Sequence, residues 1–164
     1  MQDCQTGIRR VPSPSTAHFG DATAFSDGLA GVVLGEAQNS KWGYIDPTGK
    51  TVIDFRFTFA ELFSEGLASV GLSEKCGHIN KSGMIVIESK YDTCGRFSEG
   101  LASIRQGSKW GFIDKTGEVV IAPQFRTASS FSGGLAVVQL DSGYAYVGRD
   151  GKIVVRSGTE IPSL

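Results

Sequence analysis

One hexad recurs along the chain. "FSDGLA" begins at Phe25, "FSEGLA" at Phe63 and again at Phe97, and "FSGGLA" at Phe131. The spacing is 38 residues once and 34 residues twice. A unit this short cannot bury an apolar face alone, so the chain is restricted to folds that stack copies of one small unit. Four copies divide it into residues 25–62, 63–96, 97–130 and 131–164 of a single repeat domain. The extra residues of the first copy fall between Leu34 and Lys41, around "GEAQNS", where a surface loop accommodates them at small cost.

Two further segments recur in phase with the hexad. "KWGYIDPTGKTVI" and "KWGFIDKTGEVVI" have degenerate relatives in "KCGHINKSGMIVI" and "GYAYVGRDGKIVV". Trp42, Cys76, Trp110 and Tyr144 therefore share one position, and Gly49, Gly83, Gly117 and Gly151 share another. "FTFAELF", "YDTCGRF" and "FRTASSF" each run from one aromatic to the Phe of the next hexad, and "FGDATAF" at 19–25 has the same form. Residues 1–24 thus read as an N-terminal arm ending in the tail of a partial repeat, and the fourth copy as a degenerate C-terminal cap.

The unit reads as strands, because Gly recurs every few residues and the apolar residues alternate. Ala30, Val32 and Leu34 share a face, as do Ala68, Val70 and Leu72, Ala102 and Ile104, and Ala136, Val138 and Leu140. The opposite face holds Ser69, Gly71, Ser103, Arg105, Val137 and Gln139, and is expected to be partly wet. Asp46-Pro47-Thr48-Gly49 suits a type I turn closed by a Gly at positive φ, with the carboxylate accepting backbone N–H groups. Asn80 with Gly83 and Asp114 with Gly117 repeat that chemistry, while the fourth copy keeps Gly151 and puts Gly148 in the capping slot. A β-branched strand follows each turn. The expected fold is all-β: three-stranded antiparallel units of 34 residues stacked as an open superhelical array. A closed propeller-like ring is the alternative.

Order, spacing and period together make the chain resemble the WG (KWG) repeat family of bacterial proteins. "KWGYIDPTGKTVI", "KWGFIDKTGEVVI", the "FSEGLA"-type segments and "IAPQF" carry the resemblance. Cys76-Gly77 and Tyr144-Ala145 depart from the Trp-Gly pair. The resemblance implies a β-rich repeat array used as a binding surface, and it implies no activity.

The residues themselves offer little chemistry. The two His are His18, in the arm, and His78, which occupies the aromatic position of Tyr44, Phe112 and Tyr146. No metalloprotease, nucleophile-elbow, phosphate-loop or dinucleotide motif occurs. Asp46 and Asp114 read as turn caps and not as an acid/base pair, and Glu65 and Glu99 as solvated turn residues. One carboxylate per turn is too few oxygens for Ca²⁺. The expectation is a chain that is not an enzyme and holds no cofactor or metal. A formal net charge of −1 argues against nucleic acid as a partner, and no apolar run is long enough for membrane insertion.

Cys4, Cys76 and Cys94 form no paired framework, which leans the reading towards the cytoplasm. Export with a leader removed is the alternative. Cys94 aligns with Ala22, Ala60 and Ala128, a slot for a small buried residue, and hairpin register does not suggest a Cys76–Cys94 bond. The candidate binding surface is Arg105, Lys109 and Gln139 with Trp42 and Trp110. The expected function is protein–protein binding, as an adaptor or toxin-neutralising protein of a bacterium. The alternatives are a cell-surface or cell-wall glycan bound through exposed aromatics, and a structural spacer in a longer array.

Overall fold

The computed structural model describes residues 19–34 and 40–156. The loop expected to hold the extra residues of the first copy lies mostly outside them. The described chain is all-β, with no helix, and every strand pair is antiparallel. Sheet 1 has the order β1 (Phe19–Ala22), β2 (Ala30–Leu34), β3 (Lys41–Ile45) and β4 (Thr51–Phe57). Sheet 2 is β5 (Leu67–Leu72), β6 (Lys75–Asn80) and β7 (Ile85–Tyr91). Sheet 3 runs β8 (Thr93–Cys94), β9 (Leu101–Gln106), β10 (Lys109–Asp114) and β11 (Val119–Phe125). Sheet 4 runs β12 (Thr127–Ala128), β13 (Leu135–Leu140), β14 (Gly143–Gly148) and β15 (Ile153–Arg156).

Three strands per sheet come from one unit, as expected. The fourth comes from the tail of the unit before: β8 ends the second copy but pairs with β9 of the third, and β12 pairs with β13 in the same way. The arm's β1 does this for sheet 1. In sheet 2 the tail contributes the isolated bridge Ala60↔Val70 instead of a strand. Each sheet is therefore tied to its predecessor by the covalent chain and by its own hydrogen-bond ladder.

The hexad makes this crossing. Ser26 and Leu29 exchange both backbone hydrogen bonds, as do Ser64 with Leu67, Ser98 with Leu101 and Ser132 with Leu135. The two residues between them have positive φ: Asp27 52° and Gly28 87°, Glu65 54° and Gly66 86°, Glu99 53° and Gly100 81°, Gly133 61° and Gly134 80°. This is a type I′ hairpin turn. A side chain at its first central position costs about 1 kcal/mol. The carboxylates offset that cost by accepting the next turn's Gly N–H. Gly66 donates to Asp27 Oδ2 at 2.8 Å, Gly100 to Glu65 Oε2 at 3.1 Å and Gly134 to Glu99 Oε2 at 2.9 Å. Ser26, Ser64 and Ser98 hydroxyls donate to the Phe63, Phe97 and Phe131 carbonyls at 2.6, 2.8 and 2.8 Å. Glu65 and Glu99 are thus inter-unit clamps. That corrects their reading as merely solvated: sequence showed the turn but not that successive turns lie against one another.

The sheets stack face to face. Tyr44, Ile53 and Phe57 of sheet 1 pack on Phe63, Ala68, Val70 and Ile79. Ile87 and Tyr91 of sheet 2 pack on Phe97, Ala102, Ile104 and Ile113. Ile121 and Phe125 of sheet 3 pack on Phe131, Ala136, Val138, Ala145 and Val147. No core cluster joins sheet 4 to sheet 1 among the described residues, so the array is open and the ring alternative is not formed. The expected wet face is wrong for the inner sheets. Ser69 is 0% and Ser103 5% exposed, because the next sheet lies over them. Ser69 is accommodated there by donating its hydroxyl to the Cys94 carbonyl at 3.2 Å.

The Gly after each Trp or Cys has a local cause. Register shifts bring the third strand's backbone over it, so a Cβ on Gly43, Gly77 or Gly111 would meet the Ile53, Ile87 or Ile121 carbonyl at 2.6, 2.2 or 2.4 Å. Unit 4 has Ala145 there, and β14 instead pairs in step with β15 from Ala145↔Arg156 to Tyr146↔Val155.

Cys76 and Cys94 form a disulfide across a Cα separation of 5.9 Å, against the sequence expectation. Register within a hairpin does not bear on it, because the bond runs from β6 of sheet 2 to β8 of sheet 3. Around it, Trp42 packs on the cluster that holds Ala60, and Trp110 and Ala128 pack on a common cluster. The bond occupies the place of a Trp and an Ala. It closes a separation of 18 residues, worth about 3 kcal/mol in a loop-closure account. Dithiol reduction should lower the melting temperature of the wild type by several degrees and leave a Cys76→Trp/Cys94→Ala variant unchanged. Equal melting of the wild type with and without reductant would show that the bond contributes nothing.

Candidate interaction surface

The structure separates the residues proposed from sequence. Arg105 is half-buried and pinned: Nε donates to Thr93 Oγ1 at 3.0 Å and Nη1 to the Gly107 carbonyl at 2.9 Å. Lys109 and Trp110 lie beside it on β10, in register with Gln106 and Arg105, and both are half-buried. Gln139 is the sheet 4 counterpart of Arg105, paired with Thr127. Trp42 and Trp110 pack against the inter-sheet cores. Arg105, Lys109 and Trp110 thus meet at one end of sheet 3, while Gln139 and Trp42 occupy the equivalent ends of sheets 4 and 1.

The turn residues act locally. Asp46 Oδ1 accepts the Thr48 N–H at 2.9 Å, the Thr48 hydroxyl at 2.6 Å and the Lys50 N–H at 3.0 Å. Asp114 repeats this set with Thr116 and Glu118, and Asn80 with Ser82 and Met84. The Thr48 and Thr116 hydroxyls hold both carboxyls below the usual range. Gly49, Gly83, Gly117 and Gly151 have φ of 83°, 80°, 87° and 78°. In unit 4 Asp150 stands in for the missing cap, accepting the Lys152 N–H at 3.0 Å.

His78 sits in the aromatic slot and does what a Tyr does there. Its ring meets Phe97 edge-on at 4.9 Å, as Tyr44 meets Phe63 at 4.8 Å and Phe112 meets Phe131 at 4.9 Å. Its Nε2 lies 2.9 Å from the Gly95 carbonyl, and the Tyr44 hydroxyl donates to the Glu61 carbonyl one repeat earlier at 2.7 Å. Burial pushes the imidazole below its ordinary range, against the opposing effect of the Gly95 hydrogen bond. Among the described residues no cluster of three or more His, Cys, Asp or Glu could hold a metal. A shallow cavity of 230 Å³ is lined by Ser64, Arg96, Phe97, Ser98 and Ser130. The Ser64 and Ser98 hydroxyls in it already donate to carbonyls, and no base lines it.

Sequence reasoning missed an exposed aliphatic row. Val52 of β4, Ile85 and Val86 of β7, Val119 and Val120 of β11, and Ile153 and Val154 of β15 are between 37% and 57% exposed. Each of these strands is the last of its sheet. Only the third residue of each run, Ile53, Ile87 or Ile121, turns into the core. The signal was present: consecutive β-branched residues on one strand cannot all face the same core. The row recurs at the repeat period and presents apolar side chains beside unpaired strand edges.

The comparisons fit this geometry. The WG containing repeat family matches residues 42–76, 77–110 and 110–152. No curated protein matches in sequence. The crystal structure of HIRA(644-1017) superposes with a TM-score of 0.50 at 13% identity, over 87% of this chain and 56% of that one, which is a likeness of fold. A plant albumin from Cicer arietinum showing hemagglutination overlaps more loosely, with a TM-score of 0.33 and 15% identity over 86% of this chain and 92% of that one.

The His78 site makes a pH prediction. An unfolded His titrates near 6.5. The buried one titrates lower, so the unfolded chain binds more protons as pH falls below that value. The wild type should therefore lose stability as pH falls below about 6.5, through the depressed titration of His78. His78→Tyr, which supplies the ring and donor of Tyr44, should lack that loss in thermal melts across the same range. Parallel pH slopes for the two proteins would contradict the assignment.

Proposed function

The chain belongs to the WG containing repeat family, and from that premise we propose that it is a non-enzymatic β-repeat module that binds another protein. The observation that carries this is the exposed aliphatic row from Val52 to Val154 along the edge strands. A strand edge offers main-chain donors and acceptors, and the side chains beside it offer apolar contact. Protein segments can use both at once. Half-burial of Trp42 and Trp110 favours this reading over glycan stacking, since each indole packs against an inter-sheet core. Arg105, Lys109 and Gln139, spaced along the sheet ends, form the polar margin of the reading. The finer form of the proposal is an adaptor or toxin-neutralising role in a bacterium.

The disulfide supports the exported alternative for its location, because such bonds persist in oxidising compartments.

The test is a Val86→Lys/Val120→Lys variant. Both side chains point to solvent, so its melting temperature should stay close to that of the wild type. Its affinity for the protein captured by the wild type from the native host should fall about tenfold or more, the loss of roughly 1.4 kcal/mol or more. Unchanged affinity would move the binding surface elsewhere.

A further inference from the structure

The tail of the second repeat departs from its sisters just before the hexad. It reads Cys94-Gly95-Arg96 where the others read Ala22-Thr23-Ala24, Ala60-Glu61-Leu62 and Ala128-Ser129-Ser130. Cys94 is explained by the disulfide, and Gly95 by close packing, since a Cβ there would meet Ser103 Oγ at 2.4 Å. Nothing in the stack explains Arg96. It is exposed and has no hydrogen bond or ion pair among the described residues. Arg56, Arg105 and Arg126, by contrast, hold a carbonyl, a hydroxyl and a carboxylate. The backbone beneath Arg96 is pinned from several sides. Cys94 is bonded to Cys76, and the Gly95 N–H donates to the Ser103 carbonyl at 2.7 Å. The Gly95 carbonyl lies 2.9 Å from His78 Nε2. Phe97 is held by its ring against His78 and by its carbonyl under the Ser64 hydroxyl.

This fixed platform sets Arg96 in the wall of the 230 Å³ cavity, beside Ser64, Ser98 and Ser130. We propose that the cavity binds a single carboxylate, with the Arg96 guanidinium forked onto its two oxygens and the Ser130 hydroxyl donating to one of them. A planar guanidinium matches a carboxylate in geometry and charge. The acids nearest in sequence do not supply it: Glu65 is taken by the Gly100 N–H and Lys115, and Glu99 by the Gly134 N–H. Phosphate fits less well. The Ser64 and Ser98 hydroxyls already donate to carbonyls, so the lining residues offer a dianion few donors. The volume also falls below the range of about 300–1,000 Å³ that suits a whole small molecule. It suits the end of a polypeptide or a small free acid. The site is separate from the aliphatic row and stands or falls without it.

An NMR titration read at the Ser98 and Ser130 amides, and at the Arg96 Nε–H of the wild type, tests this. Acetate and N-acetyltriglycine supply the carboxylate, N-acetyltriglycine amide lacks it, and inorganic phosphate is the competing anion. Both carboxylates should give saturating shifts with a Kd on the order of millimolar, since a single cation is engaged. Tighter binding of the peptide assigns the carboxylate to a polypeptide end, and equal binding assigns it to a small free acid; either supports the site. Arg96→Gln should abolish the saturating shifts and Ser130→Ala should weaken binding severalfold, both with wild-type melting temperatures. Shifts that never saturate overturn the proposal. So do equal shifts with the amide, tighter binding of phosphate than of either carboxylate, or binding that survives Arg96→Gln.

Discussion

The structure depends on one contact made three times: the Phe that opens a hexad pressed edge-on against a ring of the preceding sheet. Phe63 meets Tyr44, Phe97 meets His78 and Phe131 meets Phe112, at 4.8, 4.9 and 4.9 Å. Each pair is largely shut off from water and adds a favourable edge-to-face geometry to the area it buries. The same Phe carries the carbonyl that accepts the preceding Ser hydroxyl. Ring packing and clamp are therefore set by one residue, and the two-residue type I′ turn beside it directs the chain into the next sheet.

Costs are placed where a neighbouring unit offsets them. Asp27, Glu65 and Glu99 hold backbone angles that favour Gly because their carboxylates reach the next turn. No further turn follows that of unit 4 among the described residues, and Gly133 stands in the slot of the carboxylate. A buried imidazole is tolerated at His78 because its Nε2–H donates to the Gly95 carbonyl, in the place where Tyr44 uses a hydroxyl. The disulfide follows the same logic. Cys76 and Cys94 replace a Trp and an Ala that lie across a sheet boundary, so the two departures from the repeat form one covalent substitute for packing.

Much of this was legible in the letters. The hexad spacing, the alternation after it and the Asp-x-Thr-Gly turns identify the unit, its strands and the open all-β stack. What stayed hidden concerns relations between units. Ser69 and Ser103 look like surface residues on an isolated three-stranded sheet and are buried only once sheets lie on both faces. The tail strand's membership in the next sheet, the Glu65 and Glu99 clamps and the Cys76–Cys94 bond all cross a repeat boundary. Strand alternation describes one sheet at a time, so it misses each of them for the same reason. The candidate surface was half legible: Arg105, Lys109 and Trp110 do come together, but the exposed row at Val86 and Val120 depends on which strand forms the sheet edge.

The claim underneath is that stability resides in the interfaces between units more than within any one sheet. Native-state amide hydrogen exchange, read residue by residue, tests it most directly. The account predicts the slowest exchange in the central strands covered on both faces, around Val70 and His78 of sheet 2 and Ile104 and Phe112 of sheet 3. Exchange should be faster in β14 and β15, whose outer face no further sheet covers among the described residues. Equal protection across all four sheets, or the strongest protection in sheet 4, would contradict it.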